Sequence, residues 1–330
     1  MMMFDPSNHA LKDAAQDRCF LCGEKFPIDK ITREHVFPKW LQRRLDIWNR
    51  QLTLVNGTRI KYRSFTAPAC VDCNGISLSS IEDRVATALP LGAEAVRALG
   101  HEILYVWLSK LMFGALYVEA LLPSDRSNHH AGPILPSTVL ENFRHLHFMM
   151  QAARTSVEFH SFETKFHASV LVFPVQRHPS AAHRFMYRDD VLHGCIAVRL
   201  DTVGLICVAD GGAQERLADE IFPKLFSHNL HPLQFEEICA KVFAKARTQR
   251  LVPKYVTAIS PGRTSVTQMP FGGMSGAIFG DWDQQLYALM LADFTGYPLE
   301  IISPGEGKIT SWIGNYDEPS VIDVRTQPWP

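Results

Sequence analysis

The 330-residue sequence is short of net charge, of cysteine outside two pairs, of long uncharged apolar runs and of internal repeats. Each shortage excludes something. A formal charge of −1 is incompatible with a uniformly basic nucleic-acid coat, although an average can conceal opposed segments. The longest apolar stretch, Ile103 to Leu122, is interrupted by Lys110 and Glu119, so it falls short of the roughly 18 uncharged residues of a membrane span. Asp5 and Pro6 precede any apolar run, so the opening residues do not read as a secretory signal. The expectation is a soluble, cytoplasmic protein with no membrane partner. No 20 to 50-residue period recurs, which excludes solenoids and propellers. With 46% hydrophobic residues the chain can bury a core, and its length suggests two domains.

The near-neutral total is a cancellation. Residues 1–90 carry 13 Lys and Arg against 10 Asp and Glu, leaving 20 against 24 for residues 91–330. Between Arg33 and Arg63 the imbalance sharpens to eight basic residues against two acidic ones, with Trp40, Trp48 and Tyr62 interleaved. Such a patch suits phosphate contacts, and Lys39, Arg43, Arg44, Arg59, Lys61 and Arg63 are the candidates for a nucleic-acid backbone. Residues 281–330 hold eight acids and two bases, which reads as a solvated face.

Four of the seven cysteines form two CxxC pairs, Cys19/Cys22 and Cys70/Cys73. In a reducing compartment this spacing supplies the four thiolates of a structural zinc site rather than a disulfide framework. Cys195, Cys207 and Cys239 stand alone in apolar surroundings and read as core thiols.

Between the pairs, Ile28–Phe37 reads as a strand, Pro38 opens a short helix, and Asn56-Gly57 marks a hairpin whose two central residues are expected at positive φ. Ser79 with Glu82 three residues on forms a capping-box pattern before a helix. Helices are expected at Glu102–Leu122 and Ser137–Ala153, strands over 156–210 with period-2 alternation, then helices near Gln214–Phe226, Pro232–Thr248 and Gln284–Phe294. The expected class is α+β, divided into residues 1–95 and 96–330.

The segments CFLCG, REHVFPKWL and CVDCNGISLSSIED together resemble the HNH endonucleases, the ββα-metal nucleases, in the subset clipped by a four-cysteine zinc. The resemblance covers about Cys19 to Val85. In that family an acidic or His residue directly followed by His sits on the first strand, an Asn follows the second CxxC, and a third His, Asn or acid lies about eight or nine residues later, on the helix. Glu34-His35, Asn74 and Glu82 occupy those positions. The resemblance implies DNA as partner, with His35 as general base, since imidazole accepts a proton near neutral pH. It implies Glu34 and Glu82 as oxygen ligands of a catalytic Mg²⁺ or Mn²⁺, and Asn74 as a brace between the His strand and the helix. Asp83 could replace Glu82 under a different helix register, and a capping role toward Ser79 would compete for the Glu82 carboxylate.

Such modules commonly nick one strand, so double-strand cleavage would need a homodimer or two visits. Their use in bacterial conflict suggests restriction or antiphage defence as a setting. The alternatives are a non-catalytic zinc module that binds nucleic acid or protein, and a ribonuclease. The remaining motifs read as structure. His129-His130 and His145/His147 are taken as solvated or packed histidines, and the Gly-rich 271–281 segment as turns without the Lys-Ser/Thr of a phosphate loop.

Overall fold

A helix with apolar side chains on every side has to be buried on every side. The run from His101 to Leu121 is such a helix, and it organises the first of two units into which the chain divides. The structure, a computed structural model, describes residues 13–326 except 126, 129, 222, 261, 262, 274 and 306. The first unit comprises residues up to Thr87 together with Glu102–Glu158 and Thr257–Val266, and the second comprises Ala88–His101, Phe159–Val256 and the remainder. The division therefore does not fall at residue 95. The segment bearing the two CxxC pairs does not make up a unit by itself; the helix at His101–Leu121, lying later in the chain, belongs to the same core.

The first unit opens with β1 (Ile31–His35), α1 (Lys39–Arg44), the hairpin β2 (Gln51–Thr53) and β3 (Arg59–Lys61), and β4 (Thr66–Cys70). β1 and β4 pair antiparallel, with Ile31 opposite Cys70 and His35 opposite Thr66. A six-residue π-helical segment, Cys73–Leu78, then runs into α2 (Ser79–Ala88). Because the helical path already begins at Cys73, Ser79 is not an N-cap; its hydroxyl donates back to the carbonyls of Gly75 and Ile76. The β2–β3 turn also differs from expectation. Thr53 faces Arg59 across a five-residue connection, and only Gly57 takes a positive φ, at 79°. Asn56 instead uses its amide to accept from the Thr58 N–H and to donate to the Ser124 carbonyl.

After α3 (Ala93–Arg97), which belongs to the second unit, α4 (His101–Leu121) runs through the first. By length and composition α4 could cross a membrane, but it is a core helix, buried almost continuously from Leu104 to Val118. Gly114 permits a close approach to the residue that follows β1: a Cβ there would lie 3.3 Å from Val36 Cγ2. The expected helix over Ser137–Ala153 is interrupted at Phe143, giving α5 (Ser137–Asn142) and α6 (Arg144–Met149) before β5 (Val157–His160).

The second unit is built on a four-stranded antiparallel sheet of β6 (Ser169–Pro174), β7 (Phe185–Asp190), β8 (Cys195–Leu200) and β9 (Val203–Val208), in the order β6-β9-β8-β7. Every residue of β8 and β9 is buried, so both sheet faces are covered and the expected in-out alternation is absent. Arg199, the one charged residue there, pairs with buried Glu236 at 3.2 Å. α7 (Ala213–Ile221) follows, then α8 (Pro232–Ala246), β10 (Tyr255–Ser260), β11 (Arg263–Gln268), α9 (Gln284–Thr295) and α10 (Leu299–Ile302). Cys195, Cys207 and Cys239 are buried thiols, as their apolar surroundings imply. The Gly-rich turn at 271–273 directs the N–H groups of Phe271 and Gly272 at the Glu163 carboxylate, so they are committed within the fold.

Phe235 of α8 packs where a Cβ on Gly204 of β9 would lie 2.3 Å from its ring. Gly204→Ala should therefore destabilise the second unit by about 1–3 kcal/mol, the usual cost of overpacking a core. Chemical unfolding of parent and variant measures it; an unchanged midpoint would show that the ring can yield.

Candidate functional site

The two CxxC pairs lie far apart in sequence but meet because β1–β4 pairing carries Cys70 back toward the first knuckle. Phe20 N–H donates to the Pro68 carbonyl at 2.9 Å, tying the first knuckle to β4. The Sγ atoms of Cys19, Cys22, Cys70 and Cys73 all lie within 4.8 Å of one another, with Cys22 and Cys70 at 4.0 Å. A tetrahedral ion with bonds of about 2.3 Å separates its sulfurs by about 3.8 Å, so the cluster could hold a metal ion such as zinc. It is the one such group of His, Cys, Asp and Glu among the described residues. Hydrogen bonds from Cys22 and Cys73 hold the Cys19 thiol well below its ordinary value, to about 2, while the Cys73 thiol is pushed up by its bonds to Cys19 and Cys22. A divalent ion binds such sulfurs as thiolates and displaces their protons.

Two side chains from α6 and the turn after it hold the first knuckle in place. His147 Nε2 donates to the Phe20 carbonyl at 3.0 Å, and Gln151 Nε2 donates to the Leu21 carbonyl at 2.8 Å. His147 is a packed histidine, 4% exposed, and burial pulls its pKa down to about 4. His129 lies outside the described residues, and His130 is exposed.

The second cluster lies at the end of β1. Glu34 is 7% exposed, and its neighbour His35 is half-buried. The His35 ring stacks on Trp48 at 5.8 Å between centroids and 20° between planes. Burial, followed by the Lys39 charge, lowers the His35 pKa against the opposing pull of Glu34, which favours neutral imidazole. Asn74 Nδ2 donates to Thr32 Oγ1 at 2.7 Å, and that hydroxyl donates to the Ala69 carbonyl, which links the start of the helical segment to β1 and β4.

Glu82 turns away from Ser79 and toward Glu34. Between the two carboxylates sits the ammonium of Lys110, from the middle of α4: Nζ lies 2.6 Å from Glu34 Oε1 and 2.8 Å from Glu82 Oε1. It also reaches the His35 and Val36 carbonyls, at 2.6 and 2.9 Å. Asp83, the alternative to Glu82, is exposed. Burial raises the Glu82 pKa while Lys110 opposes the shift; burial lowers that of Lys110, but Glu34 and Glu82 outweigh it and hold the ammonium charged. The two carboxylates converge on a point that a positive charge already occupies.

All six candidate phosphate-binding residues, Lys39, Arg43, Arg44, Arg59, Lys61 and Arg63, are exposed. Arg43 stacks its guanidinium over Trp48 at 5.8 Å, forming a row that ends at His35. Lys110 and Trp48 are the members that sequence reasoning missed. The available signal for Lys110 was a lone cation at the centre of an apolar helix.

Compared with family models, with curated proteins and with solved structures, the chain matches none.

Elemental analysis of the purified protein should find one zinc per chain, and Cys73→Ser should lose it and unfold the first unit on heating well before the parent. His147 gives a separate acid test. Its folded-state pKa lies below the ordinary value of about 6.5, so its contribution is complete above that pH. The contribution fades as the pH falls toward 4, by about 3 kcal/mol in all. Denaturant titrations across that range should show a loss in the parent that is largely absent in His147→Gln, whose amide can still donate to Phe20.

Proposed function

We infer that the zinc-pair module is a metal-dependent endonuclease of the HNH type, hydrolysing DNA phosphodiester bonds. The observation that carries the reading is the convergence of Glu34 and Glu82 at the strand end that bears His35. The Asn74 brace and the exposed basic row beside His35 support it.

The residues divide the work. His35, stacked on Trp48, takes a proton from water through a ring nitrogen. The water oxygen bonds to phosphorus, the bond from phosphorus to the 3′ oxygen breaks, and that oxygen leaves with a proton drawn from solvent. Mg²⁺ or Mn²⁺, when held by Glu34 and Glu82, would offset the charge on the phosphate and the leaving oxygen. Lys39, Arg43, Arg44, Arg59, Lys61 and Arg63 hold the strand by its phosphates, so affinity should fall steeply with salt. Four thiolates make a structural zinc the suited metal of the other cluster, remote from this chemistry.

One observation favours the rival non-catalytic reading. The Lys110 ammonium already satisfies one oxygen of each carboxylate, as it would in a purely structural ion pair. Supercoiled plasmid with Mg²⁺ or Mn²⁺ decides between them. The nuclease reading expects cleavage that His35→Ala slows by about 10²- to 10⁴-fold. Salt-dependent binding without cleavage in any divalent metal would establish the rival. Labelled RNA offered in competition separates a ribonuclease from a deoxyribonuclease.

A further inference from the structure

A general base needs its ring held as well as its main chain, because the torsion that turns an imidazole about its Cβ–Cγ bond is broad and soft. At His35 different groups do the two jobs. The main chain is fixed by Lys110, whose ammonium bonds the His35 and Val36 carbonyls. The ring needs another support, since successive side chains of a strand leave on opposite faces and the Glu34 carboxylate goes to Lys110. What the imidazole meets is the indole of Trp48, at 5.8 Å between centroids and 20° between planes.

Trp48 is itself firmly seated. It lies in the connection between α1 and β2, where Asp46 takes a left-handed φ of 53°. The Ile47 N–H donates to the Gln42 carbonyl at 2.9 Å, and the Arg50 N–H donates to the Ile47 carbonyl at 3.0 Å. Ile47 is fully buried and roots the connection in the core. On the other side, Asn49 accepts from the Arg63 guanidinium at 2.8 Å. Arg43 lies over the indole, 5.8 Å from its centroid. Of the guanidinium, indole and imidazole in this row, only the imidazole can accept a proton.

We propose that Trp48 is a positioning residue for the candidate base: its indole sets the orientation of the His35 ring, so that the proton-accepting nitrogen is presented at a fixed angle. The proposal rests on the nuclease reading for what the oriented ring does, but not for the hold on the ring. A half-buried tryptophan in a basic row has a rival role, in which it stacks on a nucleotide base and contributes to binding. The two differ in what is lost with the indole. A misplaced base lowers kcat, whereas a lost stacking contact raises KM.

The hold on the ring is tested by NMR of the full-length protein with labelled histidine, at pH 8 and without divalent metal, the imidazole signal lost in His35→Gln being that of His35. The ring current of a nearby indole displaces this signal, so Trp48→Leu should move it toward the position of an exposed histidine and Trp48→Phe should keep much of the displacement. An unmoved signal in folded Trp48→Leu would overturn the proposal. In plasmid cleavage, Trp48→Leu should lower kcat by at least about tenfold with KM within about threefold of the parent, and Trp48→Phe should bring kcat back to within about threefold. A raised KM at unchanged kcat, or a Trp48→Phe variant as slow as Trp48→Leu, overturns it. Trp48→Met, equally ringless, carries both measurements if Trp48→Leu does not fold. Failure of the nuclease reading is seen separately, as a parent that does not cleave, and the His35 signal then decides whether Trp48 holds the ring.

Discussion

One buried cation joins the pieces of the first unit. The Lys110 ammonium lies between Glu34 at the end of β1 and Glu82 on α2, and it bonds the His35 and Val36 carbonyls from a helix that arrives much later in the chain. Taking such a group out of water costs several kcal/mol, and the cost is offset only where carboxylates and carbonyls surround it closely. The arrangement is therefore demanding. α4 must pass β1 at a fixed depth and rotation, and Gly114, one turn further along, supplies the space against Val36 that lets it do so.

The same logic holds the cysteine cluster. Its ligands come from a knuckle before β1 and from the end of β4, yet the carbonyls of the first knuckle are held by His147 and Gln151, well over a hundred residues away. Both clusters are thus clipped locally and finished remotely. A unit assembled this way should not fold as the first 95 residues alone, because those residues leave Glu34, Glu82 and the Phe20 and Leu21 carbonyls without their partners. Chain order and structural unit diverge wherever a small module borrows a core helix.

Much of the local geometry was legible in the residues. The CxxC spacing pointed to a four-sulfur cluster, β1 and α1 lie where alternation and Pro38 put them, and a hairpin surrounds Asn56-Gly57. Asn74 next to Cys73 was read as a brace, and it bonds Thr32. Local reading failed where two structures compete for the same side chain. Ser79 and Glu82 form a capping-box pattern, but the helical path begins earlier, at Cys73, and the carboxylate goes to a stronger partner. Strands β8 and β9 look alternating by composition, yet both faces are covered, and Arg199 is carried inside by Glu236.

The sequence by itself determined the chemistry available: four thiols at metal-binding spacing, an imidazole beside a carboxylate, a second carboxylate on the following helix, and a basic run between the cysteine pairs. These follow from residue type and short-range spacing, and a few turns of chain suffice to bring them near one another. Only the tertiary structure decided the charge of the site, because that charge depends on a lysine 28 residues beyond Glu82 that a long apolar helix carries into contact. Periodicity says that such a helix is buried; it does not say against what. Lys110, which in sequence merely interrupts an apolar run, acquires its meaning from the two carboxylates that α4 happens to face.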